Sequence, residues 1–123
     1  MSDFKNALDL HLSSIAKRDL AAFSEFFHPS QSSIIILPSG HMIEGFESII
    51  DFHKDWFADA DWRMETKILD TVVIESVGYA LLDVIYHDLD ENGKPYEMKY
   101  LLSLLFSKID DKWILIRDQN TLK

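Results

Sequence analysis

The sequence predicts an α+β domain with helices packed on one side of a curved antiparallel sheet. Three observations predict it. Apolar residues recur at helical spacing through the first half of the chain, and the period changes to two near Trp62. Turn signals at Asn92-Gly93 and Asp110-Asp111 then divide the second half into long strands.

Taken in order, residues 3–18 place Phe4, Ala7, Leu8, His11, Leu12 and Ile15 on one helix face. Ser2 is the expected N-cap. Asp19 is expected to cap a second, shorter helix carrying Leu20, Phe23 and Phe27, which His28-Pro29 stops. "SSIIILP" reads as a buried strand followed by a turn at Ser39-Gly40. From 45 to 58, Phe46, Ile49, Ile50, His53, Trp56 and Phe57 form the apolar stripe of a third helix. Beyond it, Trp62, Met64, Thr66 and Ile68 alternate with Arg63, Glu65 and Lys67, the pattern of a half-buried strand. Strands at 70–76, 78–89, 96–108 and 112–121 complete a meander.

The turns set the expected register. A two-residue turn at Asn92-Gly93 makes Glu91 face Lys94 and brings Leu82 opposite Ser103. A loop of two or four residues in "IDDK" brings Ser103 opposite Asp118. Because side chains alternate, one face then carries Ala80, Leu82, Val84, Leu101, Ser103, Leu105, Ile116, Asp118 and Asn120. The other carries Leu81, Asp83, Ile85, Tyr100, Leu102, Leu104, Phe106, Trp113, Leu115, Arg117 and Gln119. Both are apolar enough to need a cover.

Composition bounds the function. A chain of 123 residues is expected to form a single domain, 1–123. Its 8 Phe, 4 Tyr and 3 Trp suffice for a core without covalent staples. The net charge of −9, with 12 scattered Lys and Arg, argues against nucleic acid and anionic membrane as partners. Without cysteine there is no thiol nucleophile and no Cys-based zinc site. "YLLSLLF", the longest apolar run, falls far short of the ~20 residues that span a bilayer. "MSDFKNALDL" has charges where a signal peptide is greasy, so a cytoplasmic location is expected.

Motifs for cofactors and metals are lacking. The five histidines are widely spaced, with no His-x-His or His-Glu-x-x-His arrangement, so no metal is assigned. No phosphate loop or Gly-x-Ser-x-Gly elbow is found, and no cofactor is implied. "DLDENG" resembles the start of a calcium loop, but Lys99 stands at the twelfth position and Pro95 interrupts it, so it is a hairpin.

The order of elements resembles the nuclear transport factor 2-like superfamily, in particular its SnoaL-like branch. The resemblance rests on two amino-terminal helices ending near "FFHP", on "MIEGFESIIDF" as a Gly-initiated third helix, and on "NGK…KWILIRDQNT" as a Trp-started last strand. It implies a cone-shaped, barrel-like sheet whose concave face and three helices enclose an apolar pocket, and a convex face that forms a homodimer. It also implies that the face with Ser103, Asp118 and Asn120 is the concave one. Leu37, Trp56, Trp62, Met64, Leu82, Val84, Tyr86, Leu101, Ser103 and Asn120 would then line the pocket. Tyr100, Leu102, Leu104, Phe106, Trp113 and Leu115 would form the dimer face.

Fold does not decide activity here. Ketosteroid isomerase places its base before a proline where this chain has Leu37, and its acid near Leu105; its hydroxyl donor matches His11. Two of three roles are lost, which rejects steroid isomerisation. His11 and His53 lie on helix stripes that the resemblance brings together, and Asp118 could orient or charge an imidazole. A small, mostly apolar ligand is therefore expected in the pocket. The alternatives are cofactor-independent acid–base chemistry (cyclase, dehydratase or isomerase) on His11, His53 and Asp118, and a non-catalytic dimerisation module.

Overall fold

The computed structural model describes residues 2–123 apart from the Ser2 side chain, so the N-cap expected there lies outside the described residues. Three helices, α1 (Ser2–Ala16), α2 (Leu20–Ser24) and α3 (Phe46–Ala58), pack on one six-stranded sheet. Its strands are β1 (Ile34–Ile36), β2 (Met42–Glu44), β3 (Arg63–Ile74), β4 (Val77–Leu89), β5 (Pro95–Ile109) and β6 (Lys112–Leu122). They lie in the order β2-β1-β6-β5-β4-β3. The sheet is curved but not closed, so the barrel that the resemblance implied is absent. Nor is it wholly antiparallel, because β1 runs parallel to β6.

Local chemistry accounts for the helices. The Asp19 carboxylate accepts from the Ala22 amide at 3.1 Å and starts α2 as expected. Gly45 opens α3 at φ 88°, in the region that favours glycine. The strands expected at 62–68 and 70–76 merge into the single strand β3, Arg63–Ile74, with a bulge between Ile68 and Asp70. The short strand β2, unanticipated, pairs with β1 across the turn at Ser39-Gly40.

Two register shifts correct the expected faces. The β4–β5 turn has three residues rather than two. Asp90 and Lys94 close it, Gly93 sits at φ 78°, and Asp90 Oδ1 accepts from the amides of Asn92 and Lys94. Leu82 therefore faces Leu102, not Ser103. In β5–β6, Asp110 and Asp111 both take positive φ in a two-residue turn, but a bulge at Ile116 shifts the pairing again. Asp118 faces Leu104, and Ser103 faces Gln119.

The concave face thus carries Ala80, Leu82, Val84 and Tyr86 with Tyr100, Leu102, Leu104 and Phe106. Leu115, Asp118 and Asn120 continue it. Tyr100, Leu102, Leu104, Phe106, Trp113 and Leu115 are core, so the dimer face expected from them is wrong. Leu101, Ser103 and Leu105 lie on the convex side beside Tyr79 and Leu81, and Tyr79 Oη lies 3.2 Å from Ser103 Oγ.

The amino-terminal helix seals one end of the core. Phe4 packs edge-on against Phe106 and Trp113, with ring centroids 5.5 and 5.1 Å away. It can do so because position 78 is glycine; a Cβ there would run into the Phe4 ring. Asp3 accepts from Lys108 Nζ at 2.6 Å and Trp113 Nε1 at 3.1 Å, tying α1 to the β5–β6 end of the sheet.

Candidate functional site

Between the concave face, α3 and the end of β1 lies a cavity of about 320 Å³, at the small end of the usual range for ligand pockets. Ile35 and Leu37 line it from the β1 segment, Phe52 and Trp56 from α3, and Met64, Met98 and Leu102 from the sheet. Polar groups enter from His53, Tyr86, Tyr100, Asp118 and Asn120.

The half-buried Asp118 carboxyl faces this apolar wall and, among the described residues, makes a single side-chain hydrogen bond, in which Asn120 Nδ2 donates to Oδ1 at 3.1 Å. The same amide donates to the Ile36 carbonyl at 2.7 Å, fastening β6 to the end of β1. Burial disfavours the charged carboxylate and pushes its pKa up to about 7; the Asn120 bond only partly offsets this. Tyr100 is raised by its own burial and then by the nearby Asp118 charge, which puts phenol and carboxyl in one neighbourhood.

His53 is fixed by its own helix. Its Nδ1 donates to the Ile49 carbonyl, 2.7 Å away and one turn earlier, so in the neutral ring Nε2 carries the lone pair. Burial lowers its pKa to about 4, against the smaller raising effect of the Ile49 bond. Nε2 has no hydrogen bond among the described residues, nor is it one of the fully enclosed unpartnered atoms. His53, though buried, is itself one of the residues that line the cavity.

His11 is placed differently. It is completely buried, both ring nitrogens lack partners among the described residues, and Phe23, Phe26 and Phe106 surround it. Burial, then the proximity of His53, lowers its pKa to about 3. The Phe23 ring stacks on both imidazoles, 5.5 Å from His11 and 4.2 Å from His53. The histidines are thus neighbours through a phenyl ring, without a hydrogen bond between them, and His11 stands behind the cavity wall.

Seven predicted site residues line the cavity: Leu37, His53, Trp56, Met64, Tyr86, Asp118 and Asn120. Trp62, Leu82 and Val84 are buried behind it. Trp62 stacks on Trp56 at 4.0 Å and has the Arg18 guanidinium over its ring at 3.9 Å. Leu101 and Ser103 are on the opposite side of the sheet. The lining residues Tyr100 and Leu102 were assigned to the wrong face, and Phe52, Tyr96 and Met98 escaped notice. The signal for the first two was the sequence Asp90-Glu91-Asn92-Gly93, in which an Asx turn and a left-handed glycine fit a three-residue loop.

Similarity to known proteins agrees with this architecture. A candidate dehydratase of the NTF2-like family from Streptomyces avermitilis superposes with a TM-score of 0.81 at 10% identity, covering 99% of this chain and 94% of that one. A nuclear transport factor 2-like superfamily protein from Salmonella enterica gives 0.78 at 18% identity, over 98% and 89%. The association domain of C. elegans CaMKII gives 0.68 at 20% identity, over 98% and 93%. Identities this low carry the fold and not the activity. No curated protein sequence matches significantly. The SnoaL-like domain family matches residues 5–119, and the chain belongs to it.

Proposed function

We propose that this domain binds a small, mostly apolar molecule in the cavity of the concave face. The observation that carries the reading is an apolar wall shared by polar groups from two elements: the Asp118 carboxyl with its hydrogen-bonded Asn120 amide from β6, and the His53 imidazole from α3. Apolar contact supplies affinity in such a site, and a few placed polar groups supply orientation. The test is native mass spectrometry of protein purified from its own host. A retained small molecule that is lost from a Leu102→Trp variant, in which the indole fills the cavity, supports the reading. Retention by that variant places the ligand elsewhere and refutes it.

A second reading, acid–base catalysis, is favoured by His53 and Asp118 alone. An imidazole with a free lone pair and a carboxyl titrating near neutrality are suited to moving one proton between them through a substrate. His11, walled off and neutral, has no part in it.

The domain is further proposed to be a homodimer through the convex face. Leu81, Leu101 and Leu105 are half-buried there, and Val72, Ile74 and Val77 are 41%, 64% and 42% exposed. A patch of this kind is an association surface in soluble proteins. Association without catalysis, the third reading, rests on this patch. One relative in fold is itself an association domain.

A further inference from the structure

We propose that the molecule the cavity takes is an organic cation, an ammonium group on an apolar body, seated with its charge against the Asp118 carboxyl and beside Tyr100. This rests on the cavity being a binding site. Three features of the lining carry it. The only side-chain hydrogen bond to Asp118 comes from Asn120 and reaches Oδ1, so Oδ2 has no side-chain partner among the described residues. None of the described lining residues is a lysine or an arginine, so the carboxyl has no internal counter-ion. Five aromatic residues, Phe52, Trp56, Tyr86, Tyr96 and Tyr100, share the lining.

These features select by charge. A carboxylate or phosphate ligand would meet a carboxyl with no cation to offset the repulsion. A quaternary ammonium would pair with that carboxylate and place its methyl groups against aromatic faces, which attract cations through the ring quadrupole. The net charge of −9 draws cations toward the protein as a whole. A neutral ligand is the competing case, since a protonated Asp118 can donate one hydrogen bond to a carbonyl.

The two cases differ in pH dependence. Asp118 is faced by Leu104 and the Tyr100 neighbourhood from β5, by the Ile35 main chain from β1, and across the cavity by His53 from α3. His53 titrates near 4, and both Tyr86 and Tyr100 are raised above the ordinary phenol value of 10.0. Asp118, near 7, is then the group of this set that changes charge between about pH 5 and 9. Binding of a permanent cation strengthens as Asp118 ionises, by about tenfold between pH 6 and pH 8. A neutral ligand held by the protonated acid follows the reverse trend.

The experiment titrates the intact protein, followed by NMR, with benzyltrimethylammonium and with its uncharged isostere neopentylbenzene, in about 0.15 M salt to screen the surface. The expected result at pH 8 is at least tenfold tighter binding of the ammonium, a preference that shrinks toward pH 6. Asp118→Asn should abolish the preference while still binding neopentylbenzene, which also shows that the variant is folded. Equal affinities, or a preference for the uncharged probe, overturn the cation inference and leave the apolar pocket standing. An ammonium preference that ignores both pH and Asp118→Asn is surface attraction and overturns it too. If neither probe shifts resonances of the cavity residues, the binding reading falls, and this inference with it.

Discussion

Replacing His11 by leucine should stabilise the protein and flatten its response to acid. At neutral pH the imidazole holds one N–H and one lone pair without a partner among the described residues, at 0% exposure. An unsatisfied buried polar group costs about 1–3 kcal/mol, and leucine of similar volume removes it. A gain of this order corresponds to roughly 3–6 °C in Tm per kcal/mol for a domain of this length.

The acid response is sharper. His11 titrates at about 3 when folded, against an ordinary value of 6.5. Below pH 6.5 the unfolded chain binds a proton that the folded chain refuses, so stability falls as pH drops. The slope is about 1.4 kcal/mol per pH unit until the folded value is reached. His53 adds a second slope of the same sign from 6.5 down to about 4. Asp118 opposes both. Its raised pKa means that the protonated form stabilises the fold, fully below the ordinary 3.8 and progressively less as pH rises through about 7.

From pH 6.5 to 5, these three groups leave the wild type with a net loss of about 1.4 kcal/mol per unit, and His11→Leu with close to none. Urea unfolding at intervals across this window measures both. The difference in stability between the two proteins should widen by about 2 kcal/mol from pH 6.5 to 5. Parallel curves would mean that His11 protonates freely or finds a partner, and would refute the reasoning.

Other perturbations test the neighbouring parts of the account. Gly78→Ala should cost about 1–3 kcal/mol in thermal or urea unfolding, because the Phe4 ring has to move; a neutral effect would mean that α1 does not close this end of the core. Asn120→Ala removes the bond to the Ile36 carbonyl and should cost about 0.5–1.5 kcal/mol, with unfolding by urea as the measure. Leu105→Glu, on the convex face, should convert a dimer to monomer by light scattering; an unchanged dimer would place the interface elsewhere.

The helices, the period change at Trp62 and the strand-rich second half were legible because each is local. A stripe such as Ile49, His53 and Phe57 needs only its own spacing to be read. Register was not legible, because it depends on one residue more or less. Gly93 makes the β4–β5 loop odd, and Ile116 adds a bulge that no turn signal announces. The two slips add to a shift of two residues for β6, which keeps the parity of its side chains: Asp118 lies in line with Ala80 through Leu104, not with Leu82 through Ser103. Asp118 and Asn120 therefore fall on the expected face, while β5 between them is inverted: Leu101 and Ser103 leave the cavity side, and Tyr100 and Leu102 join it. His11 and His53 were both expected at the pocket because both sit on helix stripes. What separated them was depth, set by Phe23 packing between the rings, and a helix stripe carries no information on depth.

The central claim is that Asp118 is a half-buried carboxyl facing an apolar cavity near the end of the last strand. Carbon-detected NMR titration of its side-chain carboxyl tests this most directly. The account predicts a midpoint near 7 in the free protein, moving downward when benzyltrimethylammonium is added. A midpoint at or below the ordinary 3.8 would show a solvated or cation-paired aspartate, and would contradict both the cavity and the function proposed for it.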